Sequence, residues 1–151
     1  EPGDDVDFRE VLKPLVRMVN EGLVSAERPI RFDIDGDGGV VSSEVATSLS
    51  LVVTELLQNA VEHAFPPGRA TDGSPTVRIE LRHDRDHIAI GVVDNGAGIE
   101  SASPARASSL GRSIVQALVQ DELRGTITYT AGDDGVGTAV SLEVPSHKSW
   151  E

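Results

Sequence analysis

The feature that most constrains this chain is a long stretch of helical periodicity at residues 44–64, which Pro66 and Pro67 bring to an end. Apolar side chains recur there at three- and four-residue steps and form one stripe, made of Val45, Leu49, Val52, Leu56, Ala60 and Ala64. At about 100° per residue, this spacing predicts a helix with one face against a core. A polar stripe runs beside the apolar one and consists of Glu55, Asn59 and His63.

The polar stripe has two interpretations. Burial of an unpaired polar group is costly, so these side chains either are solvated at the edge of the helix or line a cavity that holds a polar ligand. Taken alone, the spacing favours solvation. The choice between the two therefore depends on the rest of the chain.

Charge and composition exclude several classes of function. The 25 acidic residues outnumber the 13 basic ones, and the formal net charge of −12 argues against a nucleic-acid partner. There is no cysteine, which excludes a disulfide framework and a thiol nucleophile. No apolar run approaches the roughly 20 residues that a membrane span requires. We therefore predict a cytoplasmic location, with no membrane contact from this segment.

The remaining periodicities predict an α/β order of elements. Further helices are predicted at 6–24, with Pro14 inside, and at 110–121, and strands at 29–34, 77–81, 88–93, 126–130 and 138–144. The strand at 88–93 is apolar without alternation, which is typical of a central strand covered on both faces. The turn at 83–86 and the glycine-rich connection at 131–137 predict two hairpins.

Two hairpins imply antiparallel pairing, so the predicted fold is a two-layer α/β sandwich whose mixed, mostly antiparallel sheet is covered on one face by helices. A length of 151 residues fits one domain with a substantial core. We predict that this domain spans residues 1–145, with its motifs within 40–145. Residues 146–151 are predicted to form a tail.

A carboxylate and two glycines end the central strand, in the run Asp94-Asn95-Gly96-Ala97-Gly98-Ile99. Glycines let a backbone approach a flat or anionic ligand closely, and a buried aspartate can accept a hydrogen bond from an exocyclic amine. The other interpretation is a tight turn in which aspartate is the turn former.

Two further segments carry glycine at places where a ligand can bind. Leu110 and Gly111 lie at a loop-to-helix junction, where free N–H groups and the helix dipole can hold phosphate. Arg112 would strengthen that field, although a plain N-cap at Ser108 or Ser109 also explains the junction. Gly137 and Thr138 follow the last glycine-rich connection, where a simple hairpin turn is the alternative.

In this order, the four segments resemble the ATP-binding domain that histidine kinases share with gyrase, heat-shock chaperones and mismatch-repair ATPases, known as the GHKL or Bergerat fold. Residues 55–60 resemble the family's N box, 94–99 its first glycine box, 109–115 its second and 137–138 its last. His63 follows the N box directly, and the lid, the loop between the first and second glycine boxes, is short. These two features are most similar to two-component sensor kinases with the second, less common type of phosphoacceptor region.

The resemblance implies a role for each matching residue. Asn59 would hold Mg²⁺ through its amide oxygen, Asp94 would read the adenine amine beside Thr138, and Glu55 would be the general base or orient the nucleophile. The other implied nucleotide-binding residues are His63 near the phosphates, Gly96 and Gly98 near the base and lid, and Leu110 and Gly111 at the phosphates. The implied cofactors are ATP and Mg²⁺.

Two positions depart from the family pattern. Glu62 stands where the kinases often carry a basic residue, and Arg112 ends a run that usually reads Gly-Leu-Gly-Leu. We expect the loss of a cation and the gain of an anion near the triphosphate to weaken ATP binding, an effect that Arg112 would partly offset. No histidine lies in a segment like a phosphoacceptor helix, so the resemblance implies that the acceptor belongs to an upstream dimerisation domain.

The resemblance thus implies the catalytic domain of a sensor histidine kinase that feeds a response regulator and works as a homodimer in its full-length form. On this hypothesis, the fragment binds nucleotide but does not phosphorylate itself. The alternative is an anti-sigma factor with serine kinase activity, which shares the nucleotide fold and often has glutamate before this histidine, as Glu62 is here. A third hypothesis is an ATPase-type fold that has lost nucleotide binding.

Overall fold

The structure is a computed structural model that describes residues 4–23, 29–64, 74–96, 109–132 and 136–147. Its helices are α1 (Phe8–Leu23), α2 (Ser43–Asn59) and α3 (Ser109–Ala117); α2 and α3 continue as π-helical segments at Ala60–Ala64 and Leu118–Glu122. Its strands are β1 (Asp5–Asp7), β2 (Arg31–Gly36), β3 (Val40–Ser42), β4 (Thr76–His83), β5 (His87–Asp94), β6 (Thr126–Ala131) and β7 (Thr138–Pro145). No helix of these described ranges is long and apolar enough to cross a membrane.

Five of the strands form one sheet in the order β2-β4-β5-β7-β6. β2 runs parallel to β4, and the other three pairs are antiparallel. The predicted hairpins, β4 with β5 and β6 with β7, are both present. The predicted two-layer α/β sandwich with a mixed, mostly antiparallel sheet is therefore confirmed.

One face of this sheet is buried, while the other is open over much of its area. Six side chains of β4 and β5 are at most 2% exposed and form the buried face: Val77, Ile79, Leu81, Ile88, Ile90 and Val92. The residues between them on β5, Ala89, Gly91 and Val93, are only half-buried. The prediction that β5 is covered on both faces is wrong, because small apolar residues on the open face conceal the alternation.

α2 is the centre of the helical layer. Four of its side chains are completely buried in the core that it shares with the sheet: Leu49, Val52, Val53 and Leu57. α1 packs against α2 and contributes Phe8 and Leu12, which are also completely buried. Burial of side chains of this size stabilises a fold by roughly 1.5–3 kcal/mol each, so α1 belongs to the same core.

α1 differs from the predicted helix at its first residues. Val6, predicted to be helical, lies in β1, which pairs with β3 in a separate two-stranded sheet. Neither short strand was predicted, because three residues are too few to establish an alternation. Pro14 lies within α1 and does not divide it.

The ends of α2 follow from its side chains and backbone bonds. The Ser42 hydroxyl accepts a hydrogen bond from the Val45 N–H at 3.2 Å, so Ser42 is the N-cap of α2. Beyond Asn59 the helix widens into its π-helical segment. In that geometry the N–H groups bond five residues back, so the angular spacing that places His63 in line with Asn59 no longer applies.

α3 has a narrow buried stripe. Val115 and Val119 are buried, whereas Ile114, directly before Val115, is 50% exposed. After the π-helical segment, Arg124 adopts φ 59°, and the Gly125 N–H donates to the Val119 carbonyl at 2.8 Å. This reversal leads the chain into β6.

The residues after β7 are held to the body of the fold. Ser146 is 4% exposed; its N–H donates to the Asp86 carbonyl at 2.8 Å, and its carbonyl accepts from the Ser42 N–H at 3.0 Å. His147 Nε2 lies 3.0 Å from Asp5 Oδ2. These two residues, predicted to begin a tail, therefore connect β1 and β3 to the end of the main sheet.

Candidate nucleotide-binding site

The candidate site is built around Asp94, the last residue of β5. Asp94 continues the buried alternation of Ile88, Ile90 and Val92, so its side chain lies on the helix-covered face. Its exposed fraction is only 7%. A carboxylate in this position has lost most of its hydration and needs partners on the protein or a ligand.

Two backbone groups stabilise this carboxylate. Asp94 Oδ1 accepts hydrogen bonds from the Gly96 N–H at 2.9 Å and the Thr138 N–H at 3.2 Å. Burial raises the pKa of Asp94 above its ordinary value, and the two N–H groups offset part of that rise. Within the described ranges, no group donates a hydrogen bond to Oδ2.

The register of the sheet places Thr138 beside Asp94. Asp94 is paired with Thr138 across β5 and β7, and with Val77 across β4 and β5. Thr138 is 5% exposed. Gly137, directly before it, has φ 72°, and a Cβ atom there would collide with the Asp94 carbonyl. The glycine therefore permits the close approach that brings the Thr138 N–H to the carboxylate.

Glu55 and Asn59 lie on α2, and both are half-buried. Each is next to a residue of the core, Leu56 at 3% and Ala60 at 7% exposure. Within the described ranges, no hydrogen bond or ion pair joins either side chain to Asp94. Their predicted roles toward Mg²⁺ and the nucleophile remain predictions.

Several predicted site residues are only partly described. The backbones of Leu110 and Gly111 form the first turn of α3, and the backbone of His63 lies in the π-helical segment after α2. The side chains of Leu110 and His63 lie outside the described part. Gly98 lies outside it entirely. Glu62, the residue that departs from the family pattern, is exposed.

Asn95 is part of the site's framework, although its side chain received no role from the sequence. Its Oδ1 accepts from the Thr76 N–H at 2.9 Å, its Nδ2 donates to the Ser74 carbonyl at 2.8 Å, and its own N–H donates to the Thr76 carbonyl at 3.3 Å. Asparagine commonly bonds backbone groups at strand ends, which was the available signal. The partners, 19 and 21 residues away, could not be read from it.

A cavity of about 270 Å³ also adjoins the end of β5. Its lining includes Arg78 and Val93, whose alternation places them on the open face of the sheet. Asp94 and Asn95 also line this cavity, so it lies directly beside the end of β5 that carries the carboxylate.

The histidines His83, His87 and His147 lie at the other end of the sheet. His83 ends β4, His87 begins β5, and His147 follows β7. None of these three histidines is on a helix.

Comparison with known families gives a match over residues 44–148, to the family described as histidine kinase-, DNA gyrase B-, and HSP90-like ATPase. The chain belongs to this family. The matched range begins at α2 and ends just after β7, so it contains Glu55, Asn59, Asp94 and Thr138 but not α1. The resemblance predicted from the four glycine- and asparagine-bearing segments is therefore confirmed.

Within this ATPase family, the chain is similar to the corresponding part of sensor histidine kinases. The sensor histidine kinase PdtaS of Mycobacterium tuberculosis is 39% identical over 143 residues, which cover 94% of this chain and 28% of that protein. PdtaS of Mycolicibacterium smegmatis is 34% identical over the same length. The chain thus spans less than a third of these relatives.

Solved structures agree with the fold. The histidine kinase domain of the blue-light-activated kinase EL346 from Erythrobacter litoralis is 27% identical, with a TM-score of 0.75 over 93% of this chain and 62% of that one. The catalytic domain of the histidine kinase ThkA, at 21% identity and a TM-score of 0.72, covers 96% of this chain and 97% of its own. At that identity ThkA supports the fold alone.

Proposed function

We propose that this domain binds Mg-ATP and presents it for phosphorylation of a histidine in an upstream phosphoacceptor and dimerisation domain. The observation that carries the proposal is the Asp94 carboxylate. It is nearly buried, it is held by two backbone N–H groups on one oxygen, and its other oxygen has no donor among the described residues. A buried acceptor of this kind suits a ligand that brings an N–H donor.

Adenine meets that requirement through its exocyclic amine. Oδ2 would accept the amine hydrogen, while the Gly96 and Thr138 N–H groups keep Oδ1 in place. Because both protein donors act on the same oxygen, a ligand donor completes the hydrogen bonding of the carboxylate without displacing either. Thr138 would contact the base beside Asp94, and Gly96 and Gly98 would let the backbone approach it.

Other residues would act at the phosphates. The Asn59 amide oxygen suits Mg²⁺, which prefers hard oxygen ligands, and Glu55 would orient or deprotonate the attacking histidine. N–H groups at Leu110 and Gly111 lie in the first turn of α3, where they suit an anion, and His63 would lie nearby. When bound, Mg-ATP supplies the γ-phosphoryl group, and the transfer depends mainly on positioning and charge neutralisation.

The proposal implies partners beyond this chain. The phosphoacceptor histidine, of the second and less common type, would belong to an upstream segment of the same protein, and the phosphoryl group would pass to a response regulator. The full-length protein would be a cytoplasmic homodimer that contacts neither nucleic acid nor, through this segment, the membrane. We place the domain at residues 1–145, with its nucleotide motifs within 40–145.

Calorimetric titration of the 151-residue chain with Mg-ATP tests the proposal. We expect binding by the wild-type chain, none by Asp94→Asn, and no autophosphorylation of the chain alone. Absence of heat with the wild type would end the nucleotide hypothesis.

A second experiment separates the kinase from the anti-sigma factor. A longer protein carrying the upstream segment is incubated with ATP and a response regulator. Phosphorylation of an upstream histidine supports the kinase, whereas specific binding to a sigma factor without histidine phosphorylation would replace it with the anti-sigma alternative.

A further inference from the structure

We propose that Asn95 is a positioning residue for base recognition: its carboxamide fastens the end of β5 to the start of β4 and so fixes the direction of the Asp94 carboxylate. This inference rests on the proposed nucleotide function and adds to it a residue that would not itself touch the base. Its carboxamide bonds to the backbone of Ser74 and Thr76, whereas the Asp94 side chain lies on the helix-covered face.

Asn95 continues the β4–β5 ladder beyond its last regular pair. That pair is Val77 with Asp94. One residue further, the Asn95 N–H donates to the Thr76 carbonyl, and the Asn95 side-chain oxygen accepts from the Thr76 N–H. The Asn95 side chain thus bonds the Thr76 N–H, which the backbone carbonyl of a regular strand residue would otherwise bond. The Asn95 amide nitrogen then adds a bond to the Ser74 carbonyl.

The start of β4 is itself anchored on its other side. The Arg31 N–H of β2 donates to the Pro75 carbonyl at 2.9 Å, and Arg31 pairs with Thr76 in the parallel register. Asn95 therefore bonds to a backbone that a neighbouring strand already holds. A side chain attached to such a fixed backbone limits the rotation of its own main chain.

That restriction reaches the carboxylate through Gly96. The Gly96 N–H donates to Asp94 Oδ1, and the peptide plane that carries it directly follows Asn95. Rotation about the Asn95 backbone would turn this N–H away and leave only the Thr138 N–H on Oδ1. Oδ2 would then lose its fixed direction. Because hydrogen-bond strength falls steeply with misalignment, base recognition depends on this arrangement.

The test compares Asn95→Ala with wild type and with Asn20→Ala, a matched change at an exposed position of α1. Affinities are measured by calorimetry for Mg-ATP, for Mg-GTP, whose base has a carbonyl in place of the adenine amine, and for Mg-tripolyphosphate, which has no base. We expect Asn95→Ala to weaken ATP binding about tenfold, to reduce the preference for ATP over GTP, and to leave tripolyphosphate binding unchanged. Asn20→Ala should match wild type in all three.

Two results would overturn the inference. One is an unchanged ATP affinity with an unchanged ATP preference. The other is an equal weakening for all three ligands, which indicates a general structural defect. If Asn95→Ala does not fold, Asn95→Ser provides the same comparison, since its hydroxyl adds no charge and is too short to bond the Thr76 N–H and the Ser74 carbonyl together. A wild-type chain that binds no ATP would instead refute the proposed function itself.

Discussion

The backbone of Gly137 packs directly against the carbonyl of Asp94, at a distance that leaves no room for a Cβ atom. This contact connects the last glycine-bearing segment of the sequence to the first glycine box. It also explains how the Thr138 N–H reaches the buried carboxylate, since the two strands are paired at that point. The integrity of the site therefore depends on a residue that has no side chain.

Gly137→Ala is expected to lower the free energy of unfolding by at least about 2 kcal/mol, because alanine is unfavourable at φ 72° and its methyl group collides with backbone. Nucleotide binding should weaken as Thr138 moves. Urea unfolding and calorimetry measure the two effects. Gly22→Ala is the control: with no atom within 4 Å of the added group, it should stabilise the chain by up to about 1 kcal/mol. Equal stability for both variants would contradict this explanation of Gly137.

Asp94→Asn is expected to abolish Mg-ATP binding without lowering the stability of the unliganded domain. The amide oxygen can still accept from Gly96 and Thr138, and the substitution removes a charge whose burial is unfavourable. Stability near pH 7 should therefore be retained or increased. Mg-ATP binding should be lost, because the amide nitrogen meets the adenine amine donor to donor. Thermal unfolding without ligand, together with calorimetry, tests both; a less stable variant would mean that the carboxylate supports the fold.

The raised pKa of Asp94 predicts a pH dependence of stability. A carboxyl group with a folded-state pKa above its unfolded value contributes stability that is complete below the unfolded pKa and is lost as the pH rises through the folded one. The difference in unfolding free energy between wild type and Asp94→Asn should thus become less favourable to wild type over the pH range above the ordinary carboxyl pKa of 3.8. A constant difference across that range would count against a desolvated carboxylate.

Asn59→Ala is expected to abolish the Mg²⁺ dependence of nucleotide binding while changing unliganded stability by no more than about 0.5 kcal/mol. Asn59 is half-buried at the end of α2, and alanine is a good helix residue. Calorimetry with ATP in the presence of Mg²⁺ or a chelator measures the first effect. Thr47→Ala, at an exposed position of the same helix, is the control. A large loss of thermal stability in Asn59→Ala would show that the residue is structural.

Phe8→Ala tests whether α1 belongs to the domain, although the family match begins only at residue 44. Phe8 is completely buried in the common core, so its truncation should cost about 3–5 kcal/mol of stability. Met18→Ala, on the same helix at 54% exposure, should cost much less. Comparable urea midpoints for the two variants would place α1 outside the cooperative unit.

The sequence predicted the elements whose patterns are long enough to be read. β4 alternates over eight residues and β7 over another eight, and α2 carries its apolar stripe through four turns. β1 and β3 have three residues each, which is below the length at which alternation differs from helical spacing. The prediction that β5 is covered on both faces was wrong because Ala89 and Gly91, on the open face, are small rather than polar.

The candidate site was predictable in its residue types and less so in its bonds. The family pattern identifies Asp94 and Thr138, but the hydrogen bond between them joins residues 44 positions apart and depends on strand order. The Asn95 bonds to Ser74 and Thr76 likewise require the β4–β5 register. The position of the His63 side chain relative to Asn59 stays a prediction, because the backbone changes to a π-helical geometry between them and the spacing of about 100° per residue no longer applies.

The pairing of Asp5 with His147 brings the two ends of the described chain together at the His87 end of β5, whereas Asp94 lies at the opposite end. Eight residues of extended strand separate these ends by about 24 Å. A rotation of the domain about its Asp5–His147 end would therefore displace Asp94 more than the residues near that end. A turn of about 10° moves Asp94 through an arc of about 4 Å at that radius.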